Sequence, residues 1–505
     1  MDMINNFLTA LSAVSPQNAL LITTGVVIGL IFGAIPGLST TMAVALFLPI
    51  TFAMKMFPSL SILMGLYIGG FSGGLISAIL LNIPGTAASL MTCLDGYPMA
   101  KRGEAGKALG LGIFSSFLGG AISIAALILI APLLAKVALK FGAFEYFSLT
   151  FFALSIIVTM SSKDILKGTI SGLLGILVSM IGPAPVDTYP RFTFGISSLE
   201  SGIDTTVALI GIFAIAEIFA MADKEEGDKA DTVAVQNYHI KGLGFTFKEY
   251  WEEKINVIRS SVIGILIGIL PGIGGTLASI ISYNTAKKMS KEPESFGKGC
   301  NGGLIASETA NNAAIGGAMI PLLALGIPGD AVTGLLLGAF TMKGVQPGPL
   351  MFTNHVQTIY FIFVVMIIAN GIMLAANYFS IPAFIRLLKI PKKILFPVVG
   401  FLCVLGVYGL NSSSFDLTLM LVFGIAGFFM KKWGLKEQPF IIGILVGFMA
   451  EQNFRRAIMF SGGSLVPFFT SGISLLFLTA AFGSIGFTVH KALKHQSAAA
   501  EEEQI

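Results

Sequence analysis

Four proline–glycine pairs, Pro36-Gly37, Pro84-Gly85, Pro271-Gly272 and Pro328-Gly329, stand inside long apolar runs. Proline inside a helix removes a hydrogen bond and collides with the preceding turn, at a cost of about 3 kcal/mol. In hydrocarbon the freed carbonyl has no water to turn to, so such a break persists only where protein or a wet cavity satisfies it. A helix restarting after the break aims unpaired N–H groups and a partial positive charge into that cavity. That is chemistry for holding a carboxylate without a buried lysine or arginine. Polar side chains gather at the same places: Ser39, Thr40 and Thr41 after the first break, and Asn82, Thr86 and Ser89 around the second. Gly274, Gly275, Thr276 and Ser279 follow the third, and Asp330 and Thr333 the fourth. Serine and threonine also bridge membrane helices in a purely structural way, which is the plainer reading of any one of them.

Segment 301–342 carries two charged residues, Glu308 and Asp330. A carboxylate at membrane depth costs a few kcal/mol, so it usually lines a functional path. Asn311 and Asn312 follow Glu308 at the helical spacing that shares its face. Carboxylate and amide oxygens together suit Na⁺ or a coupling proton. The alternatives are a neutral packing carboxyl for Glu308 and a helix N-cap for Asp330.

The elements that position these residues are membrane helices. The chain has 505 residues, 54% hydrophobic and 11% charged, with a mean hydropathy of +0.85; soluble domains carry about 25% charge. Apolar stretches long enough for a hydrocarbon core of roughly 30 Å recur throughout. They lie near 19–35, 38–56, 60–82, 108–135, 144–161, 165–182, 204–222, 256–270, 274–287, 301–325, 355–379, 394–410, 415–430, 438–450 and 464–489. The expectation is an all-α polytopic membrane protein with about 10–14 membrane segments, some of them interrupted helices or re-entrant hairpins. Glycine, at 59 residues, fits close helix packing in lipid.

A first half, 1–222, is followed by a hydrophilic linker at 223–255, a second half at 256–489 and a tail at 490–505 that reads as disordered. In the linker, Lys248 and Glu252 at helical spacing point to a short surface helix. Basic residues mark cytoplasmic loops: Lys101, Arg102 and Lys107; Lys163 and Lys167; Lys287, Lys288, Lys291 and Lys298; Arg386, Lys389, Lys392 and Lys393; Lys431, Lys432 and Lys436; Lys491 and Lys494. The C-terminus comes out inside. The N-terminus lacks the basic region of a signal peptide, so the first membrane segments do the targeting.

The halves repeat. In GLIFGAIPGLSTTMA (29–43) and GILIGILPGIGGTLA (264–278), Gly29, Gly33, Pro36, Gly37, Thr41 and Ala43 match Gly264, Gly268, Pro271, Gly272, Thr276 and Ala278. Further along each half, Ile83-Pro84-Gly85 matches Ile327-Pro328-Gly329. The charge map puts the repeats in opposite orientations, the plan of many secondary transporters.

Other activities fit poorly. Gly70-Phe71-Ser72-Gly73 matches the GxSG of intramembrane serine proteases superficially, but the histidines, His239, His355, His490 and His495, fall in loops or tail, and a nucleophilic serine needs a base in reach. Gly326-Ile327-Pro328-Gly329-Asp330 misses the GxGD spacing of the aspartyl type. No GxxxxGK[ST] nucleotide loop occurs. A net charge of +4 implies no nucleic-acid partner. Cys93, Cys300 and Cys403 read as packing residues. A passive organic-anion channel is the remaining alternative.

IPGLSTTMAVALFLPITFAM, ILLNIPGTAASLMTCLDGYPMAKRGEAGKALG, GILPGIGGTLASIISYNTAKKMSK and GLIASETANNAAIGGAMIPLLALGIPGDAVTGLLLGAF resemble the large membrane subunit of the tripartite tricarboxylate transporters, the TctA family. The resemblance covers nearly the whole chain. It implies a secondary importer of carboxylates in the bacterial inner membrane, with citrate as the type substrate. It implies coupling to Na⁺ or H⁺, no cofactor, and two partners: a small four-helix membrane subunit (TctB-like) and a periplasmic substrate-binding protein (TctC-like).

Overall fold

The computed structural model describes residues 2–160, 165–223, 242–272, 274–387 and 392–502. Most of the hydrophilic linker, with His239, lies outside the described residues, as do Lys163 and Lys389. The described chain is almost entirely α-helical; its strands are the two-residue pair Gly182–Pro183 and Pro190–Arg191. Among the described residues, six helices are long and apolar enough to cross a bilayer: Pro16–Ala34, Met56–Leu81, Ala87–Ala138, Val356–Phe379, Ser414–Lys432 and Gly472–His490. Shorter apolar helices accompany them. The chain is an all-α, multi-pass membrane protein.

Nine helices of the two repeats matter for the site. In the first repeat they are α1 (Pro16–Ala34), α2 (Thr40–Phe52), α3 (Met56–Leu81), α4 (Leu90–Met99) and α5 (Ala105–Ala138). In the second they are α6 (Lys254–Ile269), α7 (Gly274–Met289), α8 (Asn301–Leu325) and α9 (Ala331–Met342). Every gap between consecutive members of α1–α2, α3–α4, α6–α7 and α8–α9 contains a Pro-Gly pair, because the ring of Pro36, Pro84, Pro271 or Pro328 cannot extend the helix before it.

The sequence repeat is also a packing repeat. Helix α1 lies on α3 so closely that a Cβ on Gly29 would come within 2.5 Å of the Leu66 carbonyl oxygen, and one on Gly33 within 2.3 Å of that of Gly70. Their counterparts Gly264 and Gly268 on α6 do the same against α8, at 2.4 Å from the Ala310 oxygen and 2.5 Å from that of Ala314. Both α3 and α8 are buried along nearly their whole length, so each repeat contributes one central helix. Asn82 and Gly326 end these two helices in the left-handed conformation, φ 55° and 74°, a C-terminal stop that glycine or asparagine takes most readily.

The two central helices run in opposite senses. Tyr67, in the first half of α3, meets Asp330 beyond the end of α8, while Thr92 and Asp95, beyond the end of α3, meet Glu308 and the turn that opens α8. The post-break helices pack within their own repeats and also reach across to the other one. Helix α2 packs on α9, and α7 packs on the Ala87–Ser89 turn and α4. Asp95 fastens this arrangement: its Oδ1 accepts the N–H groups of Gly297, Gly299 and Cys300 at 2.7–2.9 Å, and its Oδ2 the Tyr283 hydroxyl at 2.8 Å. Arg102 donates to the carbonyls of Lys298 and Gly299, joining two of the basic loops.

A second layer of helices, including Thr205–Ile210, Ala216–Ala222, Ser414–Lys432 and Glu437–Phe460, packs around this core. The linker contains the expected short helix, Phe247–Glu252, capped by Thr246 and Glu249. The final helix, Gly472–Glu502, runs past His490 into the tail, where HKALKHQSAAAEE holds no glycine or proline. Helix α4 is absent from the apolar segmentation because Asp95, Gly96 and Pro98 dilute it.

Candidate functional site

All four breaks open onto one cavity of about 410 Å³. Gly37, Ser39, Thr40 and Thr41 come from the first, Pro84, Gly85 and Thr86 from the second, Gly272, Gly274, Gly275 and Thr276 from the third, and Asp330 from the fourth. Pro36, Asn82, Pro271 and Gly329, expected in the site, do not line this cavity, and Pro328 lines a small adjoining pocket with Gln438 and Ile441. The volume suits a small organic acid; drug-sized ligands occupy roughly 300–1,000 Å³.

Local backbone chemistry sets the wall. Gly37 and Gly272 hold φ of 92° and 76°, a conformation that a side chain would strain. Ser39 caps α2 by accepting the Met42 N–H at 3.1 Å. The Thr86 N–H donates to Ser89 Oγ at 3.2 Å. Asp330 and Thr333 form a full capping box: Thr333 N–H donates to Asp330 Oδ1 at 2.7 Å and Asp330 N–H to Thr333 Oγ1 at 2.8 Å. The other carboxylate oxygen of Asp330 accepts the Tyr67 hydroxyl at 2.6 Å. The N-cap expectation for Asp330 is therefore met in a residue that also faces the cavity.

The third and fourth breaks are tied together, because the Gly272 N–H donates to the Gly329 carbonyl at 2.8 Å. That amide is consumed within the protein, so Gly272 serves the site by backbone approach and not as a free donor. In the first repeat, Gly85 instead abuts the Gly33 carbonyl, where a Cβ would come within 2.2 Å.

The four acidic and amide candidates do not share one place. Glu308 is fully buried away from the cavity, accepting the Thr92 hydroxyl at 2.5 Å and the Ser116 hydroxyl at 2.9 Å. Asn312 donates to the Glu308 carbonyl at 3.0 Å. Asn311 donates to the Phe71 carbonyl at 3.1 Å, and its Oδ1 has no partner. That oxygen lies directly behind Gly275, whose added Cβ would approach it to 2.4 Å. Asp330 is in the wall, Asn311 just behind it, and Glu308 and Asn312 deeper.

The far wall was not visible as a site in the sequence. Phe213, Glu217, Lys431, Glu437 and Gln438 close the cavity from the second layer. Lys431 contacts Glu217 and lies 3.1 Å from Glu437. In the sequence Lys431 reads as part of a cytoplasmic loop with Lys432 and Lys436, whereas Glu217, a carboxylate well inside the apolar run 204–222, carried the signal that singled out Glu308. The GxSG-like Ser72 is buried and accepts from Asn377 Nδ2 at 3.0 Å.

Interrupted helices from both repeats surround one polar hollow. The chain belongs to the tripartite tricarboxylate transporter TctA family, whose sequence model matches residues 19–442, and it is thereby a transporter subunit. It is 35% identical over 486 residues, 96% of both chains, to the "uncharacterized 52.8 kDa protein in TAR-I ttuC' 3'region" of Agrobacterium vitis. It is also 37% identical over 211 residues, 42% of this chain and 87% of the relative, to the "uncharacterized protein in TAR-II ttuC' 3'region" of the same organism. No solved structure matches.

Proposed function

We propose that this chain is the translocating subunit of a cation-coupled importer of small di- or tricarboxylates, or related aromatic acids, in the bacterial inner membrane. The observation that carries this reading is the convergence of four Pro-Gly breaks on one cavity. Helix N-termini supply donors and partial positive charge there without desolvating a fixed cation. A periplasmic binding protein delivers the carboxylate, and a small four-helix subunit completes the assembly. The repeats are inverted across the membrane, with the C-terminus in the cytoplasm, and movement between the core and the second layer alternates access.

Of the coupling-ion candidates, Asp330, which lines the cavity, and the unpartnered Oδ1 of Asn311, just behind Gly275, suit Na⁺ or H⁺ best. Glu308 and Asn312 support that region from behind.

The test is uptake of labelled citrate and succinate by cells carrying the full three-component system. Gly37→Val and Gly272→Val should each abolish uptake at normal membrane abundance, since both positions need positive φ. Native uptake by both variants would remove the site assignment.

A further inference from the structure

We infer that Lys431 is the substrate's counter-charge and that Glu217 and Glu437 are the anions with which a substrate carboxylate competes for it. The inference deepens the carboxylate-importer reading and rests on it.

Lys431 is the cationic side chain among the cavity's lining residues, and carboxylates of Glu217, Glu437 and Asp330 share that lining. Asp330 is engaged by Thr333 and Tyr67. Lys431, in contrast, is clamped between two carboxylates: Glu217 touches it and Glu437 Oε1 lies 3.1 Å away. One cation facing two anions leaves this corner negative, which repels an incoming carboxylate. A substrate carboxylate that displaces Glu217 from Lys431 exchanges one anion for another at the same ammonium. A cation with two partners can release one without being left as an unpaired, partly buried charge.

The placement ties binding to movement. Lys431, Glu217 and Glu437 all belong to the second layer, on Ser414–Lys432, Ala216–Ala222 and Glu437–Phe460. The helix N-termini that face them belong to the core repeats. Lys431 finds both of its acidic partners within its own layer. A substrate with two or more carboxylates spans the gap, one group on the core N-termini and another on Lys431. A monocarboxylate cannot hold both, so the same arrangement selects for multiply charged acids.

Binding of citrate, succinate and benzoate to the purified full chain in lipid nanodiscs tests this. The native protein should prefer citrate and succinate to benzoate. Lys431→Gln should weaken citrate and succinate by more than about tenfold and benzoate far less, so that the preference collapses. Lys431→Arg should keep it, and Glu217→Gln, which frees the ammonium, should tighten citrate severalfold. Unchanged affinities and ranking in Lys431→Gln would overturn the assignment. If Lys431→Gln fails to fold, unchanged or weaker citrate binding by Glu217→Gln overturns it alone. A native protein that binds none of the three acids would defeat the carboxylate reading itself, and this inference with it.

Discussion

Ser39, Thr40 and Thr41 after the first break stand where Gly274, Gly275 and Thr276 stand after the third, and Thr86 after the second stands where Asp330 stands after the fourth. The frame is shared, down to the glycine contacts of α1 with α3 and of α6 with α8. The chemistry is not. The first repeat offers hydroxyl groups on helix N-termini. The second offers a carboxylate, glycines and, behind Gly275, an unpartnered amide oxygen. The first repeat is the richer in hydroxyl groups, and the second alone of the two brings a carboxylate. A duplicated scaffold thus gives two unlike half-sites, the donor half suited to an anion and the acceptor half to the cation of the proposed coupling. The acceptor half is also the more tightly tied, through the Gly272–Gly329 and Tyr67–Asp330 bonds.

Breaking the acceptor half should have the largest effect. Asp330→Ala removes the cap of α9 and leaves the Tyr67 hydroxyl buried without its acceptor, an expected loss of about 2–4 kcal/mol. Thermal unfolding in detergent reads that loss. Asp330→Asn should keep more of the stability while abolishing cation-dependent uptake, which separates the cap from the ion site.

Gly275→Ala should come next, because its methyl would press within 2.4 Å of Asn311 Oδ1 and 2.9 Å of the Phe71 ring. Overpacking of this kind costs about 1–3 kcal/mol, and the cation concentration for half-maximal uptake should rise. The converse change in the donor half, Thr40→Gly, should leave cation dependence alone. Equal responses of the two variants would erase the distinction between the halves.

Thr86→Val tests the donor half by itself. Loss of one hydroxyl donor should raise the substrate concentration for half-maximal uptake by roughly 2–10-fold, the equivalent of 0.5–1.5 kcal/mol, with the maximal rate preserved.

The smallest effect lies outside the cavity. Hydrogen bonds from the Thr246 backbone, Lys107 and the Thr246 hydroxyl hold the Glu249 carboxyl down at about 2. A carboxyl lowered by folding stabilises fully above its unfolded value, about 4.3, and that contribution fades as pH falls toward 2. Glu249→Gln should therefore flatten the acid side of the melting-temperature profile slightly, since the Lys107 pair is largely solvated.

The frame of this comparison was legible in the sequence. Proline and glycine leave a signature that no packing can reverse, so the breaks, the repeat and the cap at Asp330 were readable without coordinates. Hydropathy placed most helices to within a few residues. What escaped depends on partners distant in the chain. Glu308 was legible as a buried carboxylate, but Thr92 and Ser116, which draw it away from the cavity, come from elements about 200 residues earlier. Asp95 drew no notice in the sequence, because its partners, the N–H groups of the 297–300 turn, lie about 200 residues later. Lys431 shares its pattern with every interfacial lysine; only the approach of Glu217 and Glu437 distinguishes it.

The most direct test of a cavity shared by the repeats uses two single cysteines, Thr41→Cys and Thr276→Cys, in a background with Cys93, Cys300 and Cys403 replaced. Both threonines line the cavity, one from each repeat. Maleimide labelling of each should be slowed by citrate or succinate, with half-protection at the same concentration for both positions. Protection at one position alone, or at neither while uptake persists, would contradict the shared site.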